Sequence, residues 1–125
     1  MAGETILIVE DNPTNRKLIE VVLRRTGCRL LSAENGEQGI EVALREKPDL
    51  ILMDIQMPTM NGIDATRALR ANPVTANTPI VALTASELVE ERERAYEAGC
   101  NGYITKPIDT RAFPEQVQGY LKPNS

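Results

Sequence analysis

The chain has 125 residues, 42% of them hydrophobic and 26% charged, a makeup that fits one folded domain and excludes a disordered segment. Eighteen acidic residues against fourteen basic ones leave a net charge of −4, which repels a nucleic-acid backbone, and no basic run opposes it. With no histidine and only Cys28 and Cys100, not in a CxxC spacing, a cysteine–histidine zinc site and histidine acid–base catalysis are both excluded.

The opening Met-Ala-Gly-Glu-Thr has no charged n-region and leads into only four consecutive apolar residues. It is neither a signal peptide nor a membrane span. The cysteines read as small apolar residues of a reduced protein, so a cytoplasmic protein with no membrane and no nucleic-acid partner is expected.

The first apolar run, Ile6-Leu7-Ile8-Val9, is continuous and suits a strand covered on both faces. Asn12-Pro13 then offers a helix N-cap followed by proline at the first helical position. Leu18, Ile19, Val22 and Leu23 form that helix's apolar stripe. Leu30-Leu31 marks a second strand, and Asn35 can cap a second helix carrying Ile40, Ala43 and Leu44, which must end before Pro48. Leu50-Ile51-Leu52-Met53 is another buried run, followed by turn residues at Met57-Pro58 and Asn61-Gly62. A third helix spans Gly62 to Arg70 with Ile63, Ala65 and Leu69. Ile80-Val81-Ala82-Leu83 precedes a fourth helix capped by Ser86, rich in Glu and Arg and anchored only by Leu88, Val89 and Tyr96. Tyr103-Ile104 is the last strand. Asp109 or Thr110 caps a fifth helix that buries Phe113, Val117 and Leu121, with Pro114 near its first turn, where a missing N–H costs little. The alternation is (βα)₅, a doubly wound α/β fold with a parallel sheet and helices on both faces, in one domain over residues 1–125.

In such sheets functional groups gather outside the carboxyl ends of the strands. Those positions here are Glu10-Asp11, Asp54, Thr84 and Lys106-Pro107. Two carboxylates roughly 4 Å apart repel by about 4 kcal/mol at an effective dielectric of 20, so three together call for a cation. The available ligands are hard oxygens, which select Mg²⁺ or Mn²⁺. Two carboxylates and one backbone carbonyl would suffice, and the carbonyl of Gln56 is placed to be that third ligand. Taken alone, each feature also has a plainer reading. Glu10-Asp11 is commonly a solvated turn, Lys106-Pro107 is ordinarily trans, and a charge-rich helix is usually a solvated face.

Five segments together resemble the receiver domains of bacterial two-component response regulators: Ile-Leu-Ile-Val-Glu-Asp-Asn at 6–12, Leu-Ile-Leu-Met-Asp-Ile-Gln-Met-Pro at 50–58, Asn-Gly at 61–62, Ala-Leu-Thr-Ala at 82–85 and Gly-Tyr-Ile-Thr-Lys-Pro at 102–107. Each is weak alone, but their order and spacing are specific. The resemblance covers nearly the whole chain and is strongest to free-standing, cell-cycle regulators. It implies a flavodoxin-like sheet of strand order 2-1-3-4-5. It makes Asp54 the nucleophile that takes a phosphoryl group from a sensor histidine kinase or histidine phosphotransferase. It implies Mg²⁺ on Asp11, Asp54 and the Gln56 carbonyl, with Glu10 acting through a metal-bound water. Lys106 would pair with Asp54 at rest and with the phosphoryl group afterwards, and Thr84 would donate its hydroxyl to that group. A cis Lys106–Pro107 bond would aim the lysine inward. Gln56 and Ser86 flank the site and would tune hydrolysis. Tyr103 would turn inward as Thr84 moves, or else be half-buried packing. Output would be contact of the fourth helix, fifth strand and fifth helix with a downstream protein, by a monomer or a weak phosphorylation-dependent dimer.

Other chemistries fit less well. A haloacid-dehalogenase-like phosphatase needs Asp-x-Asp where this chain has Glu10-Asp11-Asn12. A flavodoxin needs a hydroxyl-rich loop where these acids stand, and no GxxxxGKS/T loop exists. The chain could also be a receiver excised from a hybrid kinase or multidomain regulator; its start at Met1 and its ending in Lys122-Pro123-Asn124-Ser125 favour a free-standing protein.

Overall fold

The computed structural model describes residues 3–57 and 60–121, so Pro58 of the expected turn and both chain ends lie outside the described residues. Ten elements alternate: β1 (Thr5–Val9), α1 (Pro13–Arg24), β2 (Arg29–Ala33), α2 (Gly36–Glu46), β3 (Leu50–Asp54), α3 (Gly62–Ala71), β4 (Ile80–Thr84), α4 (Val89–Ala98), β5 (Gly102–Thr105) and α5 (Phe113–Leu121). All strand pairs are parallel and the order is β2-β1-β3-β4-β5, as expected.

The continuous apolar runs have a direct cause. Successive strand side chains point to opposite faces, and both faces are covered. Leu7, Val9, Ile51, Met53, Ile80 and Ala82 pack against α2, α3 and α4 through Val42, Ala43, Ala65, Leu69 and Ala95. Ile6, Ile8, Leu50, Leu52, Val81 and Leu83 pack against α1 and α5 through Ile19, Val22, Leu23, Phe113 and Val117. The strand ends nearly coincide: Val9 pairs with Ala33 and Met53, Asp54 with Leu83, and Thr84 with Thr105. The residues that follow are therefore gathered at one edge.

Two helix caps follow the sequence reading, at Asn12 and Asn35, and Asn61, read there only as a turn residue, caps a third helix. Asn12 Oδ1 accepts from the amides of Thr14 and Asn15, Asn35 Oδ1 from Gln38, and Asn61 Oδ1 from Asp64. Asp109 Oδ1 accepts from Arg111 and Ala112, capping the turn that leads into α5.

Four details differ. Leu88, Val89 and Tyr96, the expected anchors of the fourth helix, are exposed, and α4 is held to the sheet by Ala95 and Ala98. Ser86 does not cap α4. Its hydroxyl accepts from the Leu88 amide in a turn, and the helix begins at Val89 with Leu88 at the cap position and no side-chain bond there. Leu18 is 40% exposed, since it faces the loop after β5 and not the sheet. Leu44 and Leu121 are half-buried, and Val42 joins Ala43 as a buried side chain of α2.

Gly62 fixes the start of α3 against β3. A Cβ there would lie 2.5 Å from the Asp54 carbonyl oxygen and 2.7 Å from the Ile55 Cα, a backbone collision with nothing flexible to yield. The two cysteines are unpaired, and burial pushes the Cys100 thiol pKa up, opposed by a contact with the Thr66 hydroxyl and by Arg70. Among the described residues, no helix is long and apolar enough to cross a membrane.

Candidate functional site

Three of the positions singled out from sequence converge. Glu10, Asp11 and Asp54 each offer a carboxylate oxygen, and these oxygens lie within 4.8 Å of one another. Glu10 and Asp54 are both only 1% exposed, a placement that takes two acidic side chains out of water. Asp11 is the one of the three partly open to solvent.

The buried acids are held by specific partners. Lys106 Nζ sits 3.2 Å from Glu10 Oε1 and 3.4 Å from Asp54 Oδ1, so one ammonium bridges both. The Gln56 amide donates to Asp54 Oδ1 at 3.0 Å, and the Asn12 amide to Glu10 Oε2 at 3.2 Å. Arg16 Nη1 donates to the Glu10 carbonyl at 2.8 Å, tying α1 to the end of β1. The Lys106–Pro107 peptide bond is cis, and the Lys106 amide donates to the Thr84 carbonyl at 2.7 Å.

One cation against two buried carboxylates leaves the cluster short of positive charge. Burial raises the Asp54 pKa to about 7, and the Glu10 charge and its hydrogen bond to Asp54 push the same way. The Gln56 amide and Lys106 oppose that shift without cancelling it. The donor set is entirely oxygen, three carboxylates, which fits a hard divalent ion and no soft metal. What the site can do follows from these parts. It presents a buried carboxylate beside an ammonium, in a position where an added cation relieves repulsion.

Thr84 is fully buried, but its hydroxyl is turned away from the acids. Thr84 Oγ1 donates to Glu91 Oε1 on α4 at 2.9 Å and accepts from the Ser86 amide at 3.0 Å. The Tyr103 hydroxyl donates to the Ser86 carbonyl, and the Arg92 guanidinium lies 4.7 Å above the Tyr103 ring centroid. The Gln56 side chain joins this group, accepting from the Ala85 amide at 3.3 Å and donating to Glu91 at 3.5 Å. Glu91, Arg92 and Arg16 carried no sequence signal, since each looks like an ordinary charged residue of a solvated helix face.

The profile of the response regulator receiver domain matches residues 6–118. The chain belongs to the response regulator receiver family. Its place is therefore in two-component signalling, as a signalling domain. It is 36% identical over 118 residues to the polar-differentiation response regulator DivK of Brucella anthropi, covering 94% of this chain and 96% of that protein. Among solved structures, it is 40% identical to the receiver domain of a sensor histidine kinase from Pseudomonas aeruginosa PAO1. That match has a TM-score of 0.88 and covers 96% of this chain and 98% of the other, and that structure holds a magnesium ion coordinated in its active-site cleft. A response regulator structure from Chloroflexus aurantiacus matches at 30% identity with a TM-score of 0.90, covering 95% and 98% of the two chains.

Proposed function

We propose that residues 1–125 act as one receiver domain that takes a phosphoryl group onto Asp54. The observation that carries this reading is the buried Asp54 carboxylate, bridged to Glu10 by Lys106 with Asp11 beside it at the carboxyl edge of the sheet. An Asp54 carboxylate oxygen attacks phosphorus as the bond to a donor's imidazole nitrogen breaks. The imidazole leaves and gains a proton, and an acyl phosphate remains. The chain contains no histidine, so the phosphohistidine comes from a partner, a sensor kinase or a histidine phosphotransferase.

Transfer of this kind has a loose transition state, and the protein's part is positioning and charge neutralisation. Lys106 fits the charge role, since its ammonium already touches Asp54 and can follow a phosphoryl oxygen. Asp11, Asp54 and the Gln56 carbonyl would hold Mg²⁺, or Mn²⁺, with Glu10 acting through a bound water. When bound, that ion offsets the charge of three acids and an incoming dianion. Beside Lys106 a groove lined by Asn15, Leu18, Ile19, Pro107 and Ile108 gives a donor an apolar seat next to the nucleophile. On the output side, Leu88, Val89 and Tyr96 of the α4 region are exposed, which supports α4, β5 and α5 as the face read by a downstream protein. Gln56 and Ser86 flank the site and set the lifetime of the phosphate in this reading. The domain works in the cytoplasm, as a monomer or a weak dimer formed on phosphorylation.

Incubation with acetyl phosphate tests this reading. Intact-mass measurement should show one phosphoryl group added with Mg²⁺, none in EDTA, and none on Asp54→Asn. Equal labelling with and without divalent metal would count against it.

A further inference from the structure

The resting hydroxyl of Thr84 is already committed. Its single hydrogen goes to Glu91 Oε1 at 2.9 Å, while its oxygen accepts from the Ser86 amide. A hydroxyl has one hydrogen to donate, so Thr84 cannot serve Glu91 and a phosphoryl oxygen together. Glu91 is half-buried, and the same oxygen also receives Gln56 Nε2 at 3.5 Å. One α4 carboxylate thus collects two side chains that flank the acidic cluster.

We infer that Glu91 is a positioning residue, a latch that holds Thr84 in its unphosphorylated orientation and must surrender it before the site is completed. This rests on the reading of Asp54 as the phosphoacceptor. The latch also sets where the signal goes. Helix α4 has no side-chain cap and buries only Ala95 and Ala98, so its first turn is lightly attached to the sheet. The Thr84–Glu91 bond is one of the polar ties of that turn. Next to Glu91, Arg92 covers Tyr103, whose hydroxyl holds the Ser86 carbonyl, and the Ser86 amide in turn holds Thr84. Rotation of Thr84 toward a phosphoryl group therefore breaks its bond to α4 and disturbs the Ser86 peptide that Tyr103 grips. A dianion on Asp54 favours the same rotation, because it offers Thr84 a more highly charged acceptor than the Glu91 carboxylate.

A double-mutant cycle separates this latch from a plain charge effect. Beryllium fluoride with Mg²⁺, a non-covalent mimic of the acyl phosphate, is titrated into the protein while amide and Tyr103 ring resonances are followed. Glu91→Ala should tighten binding on the order of tenfold, as expected when a charge-assisted hydrogen bond no longer competes, and Glu91→Gln should tighten it less. Tyr103 should be shifted partway toward its bound position before any addition. In a Thr84→Val background, which keeps the shape and lacks the hydroxyl, Glu91→Ala should bring no gain. A gain that persists in full in that background would show that Glu91 acts only through its charge, and absence of any gain would overturn the latch outright. Failure of the unmodified protein to bind the mimic, or equal binding by Asp54→Asn, would instead overturn the phosphoacceptor reading.

Discussion

Replacing Asp54 with asparagine should stabilise the metal-free protein, and by an amount that depends on pH. The folded-state pKa of Asp54 is raised to about 7, chiefly by burial, from 3.8 in the unfolded chain. Ionisation is therefore disfavoured in the folded protein. Below pH 3.8 both states are protonated and there is no penalty. Between 3.8 and 7 the penalty grows by about 1.4 kcal/mol per pH unit, and above 7 it levels off at about 4 kcal/mol. Asparagine carries no proton to lose and keeps an oxygen for the Gln56 amide and Lys106. Urea unfolding in EDTA should show Asp54→Asn within error of wild type near pH 4 and more stable by about 2–4 kcal/mol at pH 8, the lower figure allowing for local relaxation. Saturating Mg²⁺ should narrow the gap from the wild-type side, by about 2.7 kcal/mol at a hundred times its dissociation constant. A difference that is flat with pH, or a destabilised variant, would refute the claim that Asp54 is held ionised at a cost.

Asp11→Ala should weaken Mg²⁺ binding, read by calorimetry, far more than Glu10→Ala, because the first removes a ligand and the second an acid acting through water. Glu10→Ala should instead lower stability by about 1–3 kcal/mol in thermal or urea unfolding, since it leaves the half-buried Lys106 ammonium with one partner in place of two. Thr84→Ala should still take phosphate on Asp54 but give a partial switch in amide exchange across residues 86–104. A full switch needs about 5.5 kcal/mol, and one charge-assisted bond supplies roughly 1.5–3. Gly62→Ala should cost about 1–3 kcal/mol in urea unfolding, because its methyl would press on the Asp54 carbonyl and the Ile55 backbone.

Much of this fold could be read from particular residues. Ile6–Val9, Leu50–Met53 and Ile80–Leu83 announce themselves because a central parallel strand is apolar on both faces, and all twelve are buried. The outer strands left only pairs of residues, Leu30-Leu31 and Tyr103-Ile104, because an edge strand needs less apolar cover; they extend to Arg29–Ala33 and Gly102–Thr105. Asn12 and Asn35 act through bonds to amides two or three residues away, so local sequence shows them, whereas Asn61 reads only as a turn residue although it caps α3 in the same way. Ser86 misled for the same local reason: its hydroxyl bonds two residues on, in a turn before the helix begins.

At the site, strand ends placed Glu10, Asp11 and Asp54 together, since topology alone does that. Topology cannot say which way a hydroxyl turns. Thr84 stands where expected, yet its partner is Glu91, seven residues on and one of five glutamates between 87 and 97. Nothing in periodicity separates Glu91 from Glu90 or Glu93. Leu18 is a related case, an apolar residue in the right stripe that lines a groove beside Pro107 and Ile108 instead of the core.

The central claim is that the phosphoryl group is carried by one carboxylate. Borohydride reduction of the protein after treatment with acetyl phosphate and Mg²⁺ converts an acyl phosphate to an alcohol that peptide mass spectrometry can place. Reduction at Asp54, absent when EDTA replaces Mg²⁺, is the predicted result; reduction at Asp11, at Glu10 or at several acids alike would contradict the account.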